Sequence, residues 1–218
     1  MFTKQHMKEL PRVFLKTPKK KELNVQEKEK VDIFIPQHSD TLFWCFYIME
    51  NDWSEYHMVG QHYFQIEKNK KISYIEKIRT MKENLKSRKF KISEIENDLL
   101  NNRRIHYKTF IALCVLYDIN VIVVYDNYYY QYTEGKGDPY VIRQDRGWFG
   151  ISLNSMDENV LKSYWKIENI HKPLKGISTY KVNDLKKICR KLKLDICNES
   201  GRMHNKKQLY NLIRQKIE

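Results

Sequence analysis

Residues 110 to 126 read Phe110-Ile-Ala-Leu-Cys-Val-Leu-Tyr-Asp-Ile-Asn-Val-Ile-Val-Val-Tyr-Asp126, and this stretch decides the fold. Its first half belongs to a helix that we predict from Tyr107 to Tyr117, with one apolar face. Its second half, Ile119 to Tyr125, is unbroken and rich in β-branched residues, which is typical of a central strand. A helix that leads directly into a buried strand predicts helices and a sheet that share one core.

Three further helices are predicted before this stretch. The apolar run Thr41–Met49 fits either a helix buried on all sides or a central strand, and a cap at Ser39 or Asp40 favours the helix. A second helix is predicted over Ser73–Lys86 from the spacing of its apolar residues. A third begins at the capping-box sequence Ser93–Glu96.

Short strands are predicted after it. Tyr128–Thr133 and Tyr140–Arg143 have strand composition, and the sequence Gly135–Pro139 between them predicts a turn. A second turn at Asp145–Gly147 leads into the strand Trp148–Leu153. Helices followed by successive strands predict an α+β fold with an antiparallel strand meander.

Charge divides the chain into three parts. Residues 172–218 hold thirteen Lys and Arg against four Asp and Glu, a net charge of +9, while residues 1–30 carry +5 and residues 31–171 carry −1. We therefore predict a basic N-terminal arm (1–30) with a short charged helix, a near-neutral body (31–171) and a basic C-terminal module (172–218). This asymmetry indicates a polyanionic partner, nucleic acid first and an acidic membrane surface second.

Composition narrows the class of protein. An aromatic share of 13% argues against disorder, and no apolar run is long enough to span a membrane. The N-terminus has no apolar core of a secretory signal, which predicts an intracellular, non-secreted protein. No CxxC pair occurs and the His residues are scattered, so neither a metal site nor a cofactor is expected. The cysteines suit a reducing compartment; they are Cys45, Cys114, Cys189 and Cys197.

Two amphipathic helices are predicted in the basic module. The first covers Lys181–Leu194, and its apolar stripe consists of Val182, Leu185, Ile188, Cys189 and Leu192. The second covers Lys206–Ile217 and is capped by Asn205. Its apolar stripe consists of Leu209, Leu212, Ile213 and Ile217. The sequence therefore predicts a small all-α module.

This helical pair resembles the SAP module, a small helix-extension-helix domain that binds DNA. The resemblance rests on Val182–Lys186 in the first helix and on Asn205–Leu209 at the start of the second. The glycines of the family's loop are replaced, by Lys193 and by His204, and the loop is longer. The resemblance implies binding to double-stranded DNA, and nothing in the module indicates the reading of base edges.

Nucleic acid is expected to meet the module through its basic side chains. Lys206 and Lys207, at a helix N-terminus, would meet a phosphate together with backbone N–H groups. The alternative is that the lysines only solvate a small helical hairpin. The candidate contacts are Lys181, Lys186, Lys187, Arg190, Lys193, Arg202, Lys206, Lys207 and Arg214.

The body resembles the OTU branch of papain-like cysteine peptidases over about residues 35–153. Three segments carry the resemblance. His38–Trp44 is similar to the segment that places the nucleophilic cysteine at the start of a buried helix. Phe110–Asp126 is similar to the family's helix-to-strand passage, and Arg146–Ile151 to the hairpin that carries the catalytic histidine. The resemblance implies a papain-like fold.

The residues on which catalysis depends are replaced. Thr41 occupies the nucleophile position, Trp148 the histidine position, and His38 that of the leading aspartate. An indole cannot accept a proton, and a threonine hydroxyl without a base is inert at neutral pH. The resemblance therefore implies a scaffold that has lost its chemistry. The alternative is a nucleophile at Cys45, one helical turn after Thr41, with His57 as a candidate base.

These observations predict a non-catalytic protein associated with nucleic acid, whose peptidase-derived body binds an unidentified protein partner. The combination of modules and the Lys-, Asn-, Ile- and Tyr-rich composition resemble proteins of large nucleocytoplasmic DNA viruses. Two alternatives stay open. One is an active cysteine protease or deubiquitinase, and the other is a structural virion component or a membrane-associated one.

Overall fold

The computed structural model describes residues 32–154, 158–198 and 201–217, which belong to one compact unit. The predicted N-terminal arm and its short helix lie outside the described residues. The helices are α1 (Thr41–Met58), α2 (Tyr63–Thr80), α3 (Lys82–Ser87), α4 (Ile92–Asn101), α5 (Tyr107–Leu116), α6 (Glu158–Ser163), α7 (Val182–Lys191) and α8 (Lys206–Ile217). The strands are β1 (Ile33–Phe34), β2 (Ile119–Val124), β3 (Tyr128–Tyr132), β4 (Lys136–Asp145), β5 (Trp148–Ser152) and β6 (Trp165–Lys166).

The stretch that was expected to decide the fold forms α5 and β2, as predicted. All its residues from Phe110 to Leu116 are buried, and β2 is buried from Asn120 to Val124. Six strands form one sheet in the order β1-β5-β4-β2-β3-β6, so β2 lies inside the sheet with neighbours on both sides. The fold is α+β.

The predicted antiparallel meander is wrong, because the sheet is mixed. β2 and β3 form an antiparallel hairpin, but β4 then crosses to the other side of β2 and runs parallel to it. β4 also begins at Lys136, inside the segment predicted as a turn. The pairs β4–β5 and β5–β1 are antiparallel, and β6 is parallel to β3.

A tight crossing under the start of β2 makes this topology possible. Gly135 lies so close to the chain that a Cβ atom there would be 2.3 Å from the carbonyl oxygen of Asp118. The Asn120 side chain holds the crossing segment, accepting a hydrogen bond from the N–H of Gly135 (2.7 Å) and donating one to the carbonyl of Gly137 (2.7 Å). Neither contact is visible in the hydrophobic pattern that predicted the strands.

Helices cover one face of the sheet and form the main core. α1 is a helix, as its cap predicted: the Asp40 carboxylate accepts the N–H of Phe43 at 3.2 Å. All residues from Thr41 to Met49 are buried, which explains the absence of a polar face in this run. The other face of the sheet carries a smaller apolar cluster of Ile122, Val124, Tyr129 and Val141, packed against α6 and Tyr164.

The predictions for the middle helices are partly wrong. The second predicted helix begins ten residues too late, since α2 begins at Tyr63, and a break at Met81 separates α2 from α3. Ser93 lies inside α4, which begins at Ile92 after Lys91, so the predicted capping box does not form. The apolar core-facing residues of these helices, among them Ile75, Ile78 and Leu85, are buried as predicted.

The C-terminal helices pack against the β3–β6 side of the sheet. Their core includes side-chain contacts with Tyr128 and Trp165. The Lys191 ammonium donates to the carbonyls of Lys162 and Tyr164, at 2.9 and 3.1 Å. The module therefore packs on the body. The boundary at residue 171 stays a prediction from sequence and charge.

Candidate functional site

The basic module is built around its own small apolar core. α7 and α8 are both present as predicted, and Asn205 caps α8 by accepting the N–H of Gln208 at 3.0 Å. Two residues of the predicted stripes are wrong, since Val182 is 40% exposed and Leu212 is half-buried outside the module's core. The core consists of Leu174, Leu185, Ile188, Cys189, Leu192, Leu209 and Ile213.

The loop after α7 has the backbone geometry that glycine usually supplies. Lys193, which stands where the resemblance expects a glycine, has a φ of 55°. The N–H of Leu194 binds the carbonyl of Cys189 at 2.9 Å, which closes the helix end with a residue in the left-handed conformation. An isolated bridge between Cys197 and Met203 then forms the extended connection to α8.

Most of the predicted basic contacts lie at the surface. The side chains of Lys181, Lys187, Arg190, Lys193, Arg202, Lys207 and Arg214 are exposed, and those of Lys186 and Lys206 are half-buried. Leaving Arg214 aside, none of these cations forms an ion pair with a carboxylate within the described ranges. Their charge is therefore available to an external partner.

α7 divides its basic residues between two sides. Lys186 and Arg190 are one turn apart and share a side of the helix. Lys186 reaches the connection to α8, where its ammonium lies 3.5 Å from the sulfur of Met203. Lys191 lies about 140° around the helix axis from Lys186, and it contacts the body. Sequence alone did not separate these roles, because all three residues read equally as surface cations.

On α8, the basic residues at the two ends of the helix have different roles. Lys206 and Lys207 form its first turn, which contains no acidic residue. About 14 Å further along the axis, Lys216 pairs with Asp126 of the body at 2.9 Å. The helix therefore docks by its C-terminal end and presents its N-terminal end, with its unpaired backbone N–H groups, away from that contact.

The nucleophile and histidine positions of the OTU resemblance lie near the start of α1, and the third position, His38, has its ring stacked on Tyr63 at 4.6 Å. The Thr41 hydroxyl is buried and accepts the backbone N–H of Phe149 at 3.0 Å. Phe149 follows Trp148 on β5, so helix α1 and the predicted histidine strand do meet. The Trp148 indole is 38% exposed and lies 3.9 Å beneath the guanidinium of Arg104. Thr41 is engaged in packing, and no base stands in place of the histidine.

Cys45, the alternative nucleophile, lies inside the core. It has no exposed surface, and its sulfur lies 3.8 Å from the carbonyl oxygen of Phe149. Burial, with a smaller contribution from the charge of Asp40, raises the pKa of this thiol far above its usual range. His57 is exposed near the far end of α1, beyond the break at Asp52. This geometry favours a structural thiol.

A buried ion network lies beneath the start of α1, and the sequence reading missed it. The Asp40 carboxylate is fully buried, and the ammonium of Lys71 lies 2.9 Å from it and 2.9 Å from Glu67. Asp40 also accepts the N–H of Ile105 at 3.1 Å, and the indole of Trp44 donates to Glu67 at 3.0 Å. Glu67 and Lys71 lie one turn apart on α2, but the helix was predicted only from Ser73, so neither this pair nor its burial was predicted.

No helix in the described part of the chain could cross a membrane, and no group of three or more His, Cys, Asp or Glu there could hold a metal ion. Comparisons of the chain with protein-family models, with curated proteins and with solved structures found no match. The OTU-like and SAP-like resemblances stay predictions, and the function is argued below from geometry and charge.

Proposed function

We propose that the chain is a non-catalytic nucleic-acid-binding protein that contacts the phosphate backbone through its C-terminal helical pair. The observation that carries this proposal is the set of cations on α7, on the connection and at the start of α8 that form no ion pair with a carboxylate of the described residues. Phosphate contacts by Lys and Arg release condensed counterions, which makes the free energy of binding large and dependent on salt. Double-stranded DNA is the partner that the SAP-like pattern favours.

The arrangement of the cations supports binding along a backbone. Lys186 and Arg190 form a ridge on α7, and Lys186 extends toward the connection that carries Arg202. Lys206 and Lys207 stand at the start of α8, where backbone N–H groups and the helix dipole add to the attraction of a phosphate. The Lys206 and Lys207 ammonium groups are point charges that suit a phosphate and do not distinguish base edges, so we expect binding that depends little on sequence.

The body serves in this proposal as a scaffold without peptidase chemistry. Three features support the idea: Thr41 is used as a hydrogen-bond acceptor for Phe149, Trp148 cannot accept a proton, and the Cys45 thiol is buried. The scaffold holds the module in a fixed orientation through Lys191 and Lys216.

A charge-neutralised variant tests the proposal directly. We expect Lys186→Gln, Arg190→Gln, Lys206→Gln and Lys207→Gln, combined in the full chain, to weaken binding to a fluorescein-labelled DNA duplex by roughly 100-fold or more at low salt. Fluorescence anisotropy measures the affinity. Far-UV circular dichroism should be unchanged, because none of these side chains supports the module's core.

A matched control carries the same change in charge on the body. Lys68, Lys82, Lys89 and Lys136 are exposed and without ion pairs in the described residues. Replacing these four by Gln should weaken binding by only about threefold, through the long-range field. Equal losses in the two variants would show that net charge alone attracts the DNA and would reject the helical pair as the interface.

A further inference from the structure

A cavity of about 400 Å³ opens between the sheet, the start of α5 and the last turn of α8. Its volume is near the lower end of the range of roughly 300–1,000 Å³ that small-molecule sites occupy. Its walls are mainly aromatic and apolar. The aromatic members are Tyr107, Tyr125, Tyr128, Tyr130 and Phe149.

The tyrosines are arranged as a stacking surface. The rings of Tyr125 and Tyr128 lie parallel, with centroids 4.7 Å apart and planes 14° from each other. Tyr107 and Phe149 meet the Tyr125 ring edge-on, at 6.2 and 6.1 Å. Tyr128 and Tyr130 are two residues apart on β3, so both face the same side of the sheet, the side of the cavity. That spacing was the one signal in the sequence that could have indicated this site.

The Tyr125 hydroxyl is a buried polar group without a partner. Among the described residues no donor or acceptor lies within hydrogen-bond distance of it. Burial of the ring, with a smaller contribution from Tyr128, raises the pKa of this phenol well above its ordinary value, so it is a neutral O–H donor. Buried hydroxyls are normally hydrogen-bonded, and this one belongs to a residue of the cavity wall, so a ligand that reaches it would complete the bond.

The position in the fold also suits a ligand. β2 and β4 are parallel, and the cavity lies on the α5 side of the sheet near their carboxyl ends, where Tyr125 follows β2 and Gln144 stands near the end of β4. Open sheets with parallel strands commonly bind ligands at this edge. The exposed Gln144 amide and Lys216 ammonium give the cavity a polar border.

We propose that this cavity binds a nucleobase, with the ring stacked among the tyrosines and a ring nitrogen or carbonyl accepting the Tyr125 hydroxyl. Aromatic stacking accepts any base, and one donor in a dry wall orients it. The base could be that of a free nucleoside or one from a bound single strand. The second source rests on the proposed function, since Lys216 and Ile217 of α8 form part of the wall.

The fluorescent adenine analogue 2-aminopurine tests both sources with the full chain. It is offered once as the free nucleoside and once within a single strand of about twelve nucleotides. We expect wild-type protein to quench at least one form, because stacking on tyrosine quenches the analogue. Tyr125→Phe should weaken that binding roughly three- to tenfold through the lost hydrogen bond. Without ligand it should raise Tm, because it removes an unpaired buried hydroxyl.

Tyr129→Phe is the matched control, since Tyr129 lies on β3 between Tyr128 and Tyr130 but faces the opposite side of the sheet. It should leave the affinity for 2-aminopurine unchanged. The proposal is overturned if wild-type protein quenches neither form, or if Tyr125→Phe binds as tightly as wild type. Anisotropy of the same strand and of its duplex, each labelled at a 5′ end, separates the two proposals. Salt-sensitive binding without quenching rejects only the cavity, and quenching of the nucleoside without binding of either labelled form rejects only the nucleic-acid role.

Discussion

The body and the C-terminal helical pair differ in how they use their positive charge. In the body, several cations pair with carboxylates, from the buried Lys71 with Asp40 to the exposed Arg79 with Glu96. Others, such as Lys68 and Lys82, are exposed without such a pair among the described residues. In the helical pair the cations on α7 and at the start of α8 have no carboxylate partner among the described residues, and the net charge is +9. The comparison teaches that ion pairs engage part of the body's positive charge internally, whereas the cations on α7 and at the start of α8 are left available to a partner.

The largest effect is expected from breaking the body's buried pair. Lys71→Ala should lower the free energy of unfolding by about 3–5 kcal/mol, because it leaves the buried carboxylate of Asp40 without a counter-charge. Urea denaturation measures the change. Lys68→Ala, on the same helix but exposed, is the control and should change stability by less than about 0.5 kcal/mol. A loss below 1 kcal/mol for Lys71→Ala would contradict the assigned role of the pair.

The same pair predicts how stability depends on pH. Burial opposes the charge of Lys71, but Asp40 and Glu67 outweigh it and raise the pKa of the ammonium above its ordinary value. The charged Lys71 therefore stabilises the folded state fully below the pKa of lysine in the unfolded chain, about 10.4. This stabilisation is lost as the pH rises through the higher pKa of Lys71 in the folded state. Urea midpoints between pH 9 and 11.5 should fall less steeply in Lys71→Ala than in wild type.

A smaller loss is expected where the chain crosses beneath β2. Gly135→Ala should cost about 1–3 kcal/mol, because its Cβ atom would overlap the Asp118 carbonyl. Gly176→Ala, before α7, is the control: its φ is −60° and its Cβ atom would meet nothing closer than 3.9 Å, so stability should be unchanged or slightly higher. Equal effects of the two substitutions would contradict the tight crossing.

The smallest effect is expected on the chemical reactivity of the cysteines. Under native conditions at pH 7.5, iodoacetamide should modify the half-buried Cys197 of the module, and the body's Cys45 and Cys114 should react only after unfolding. Peptide mass spectrometry at timed intervals measures the rates. Rapid labelling of Cys45 that is lost in His57→Ala would instead support the cysteine-peptidase alternative.

Much of the fold could be predicted from the sequence, for physical reasons. Periodicity identified α5, β2, α7 and α8, because burial on one face or on all faces leaves a repeat that a single sequence displays. The parallel pairing of β4 with β2 could not be predicted. It depends on the close approach of Gly135 and on the Asn120 side chain, which are single residues without a repeat.

The candidate sites, like the fold, could be predicted only in part from the sequence. The exposed cations of the helical pair could be found, since charge excess is a property of composition. The division between Lys186, which is directed to the loop, and Lys191, which contacts the body, required the docked structure. The tyrosine cavity required it as well, because its wall combines α5, the four strands β2 to β5 and the last turn of α8.

The most direct test of the central claim is the salt dependence of duplex-DNA binding by the full chain. If six phosphates are contacted, log affinity should fall against log salt concentration with a slope of about −5, and the variant lacking the four cations of Lys186, Arg190, Lys206 and Lys207 should give about −1.5. A slope near zero for wild type, or the same steep slope for that variant, would contradict a phosphate-binding role for the helical pair.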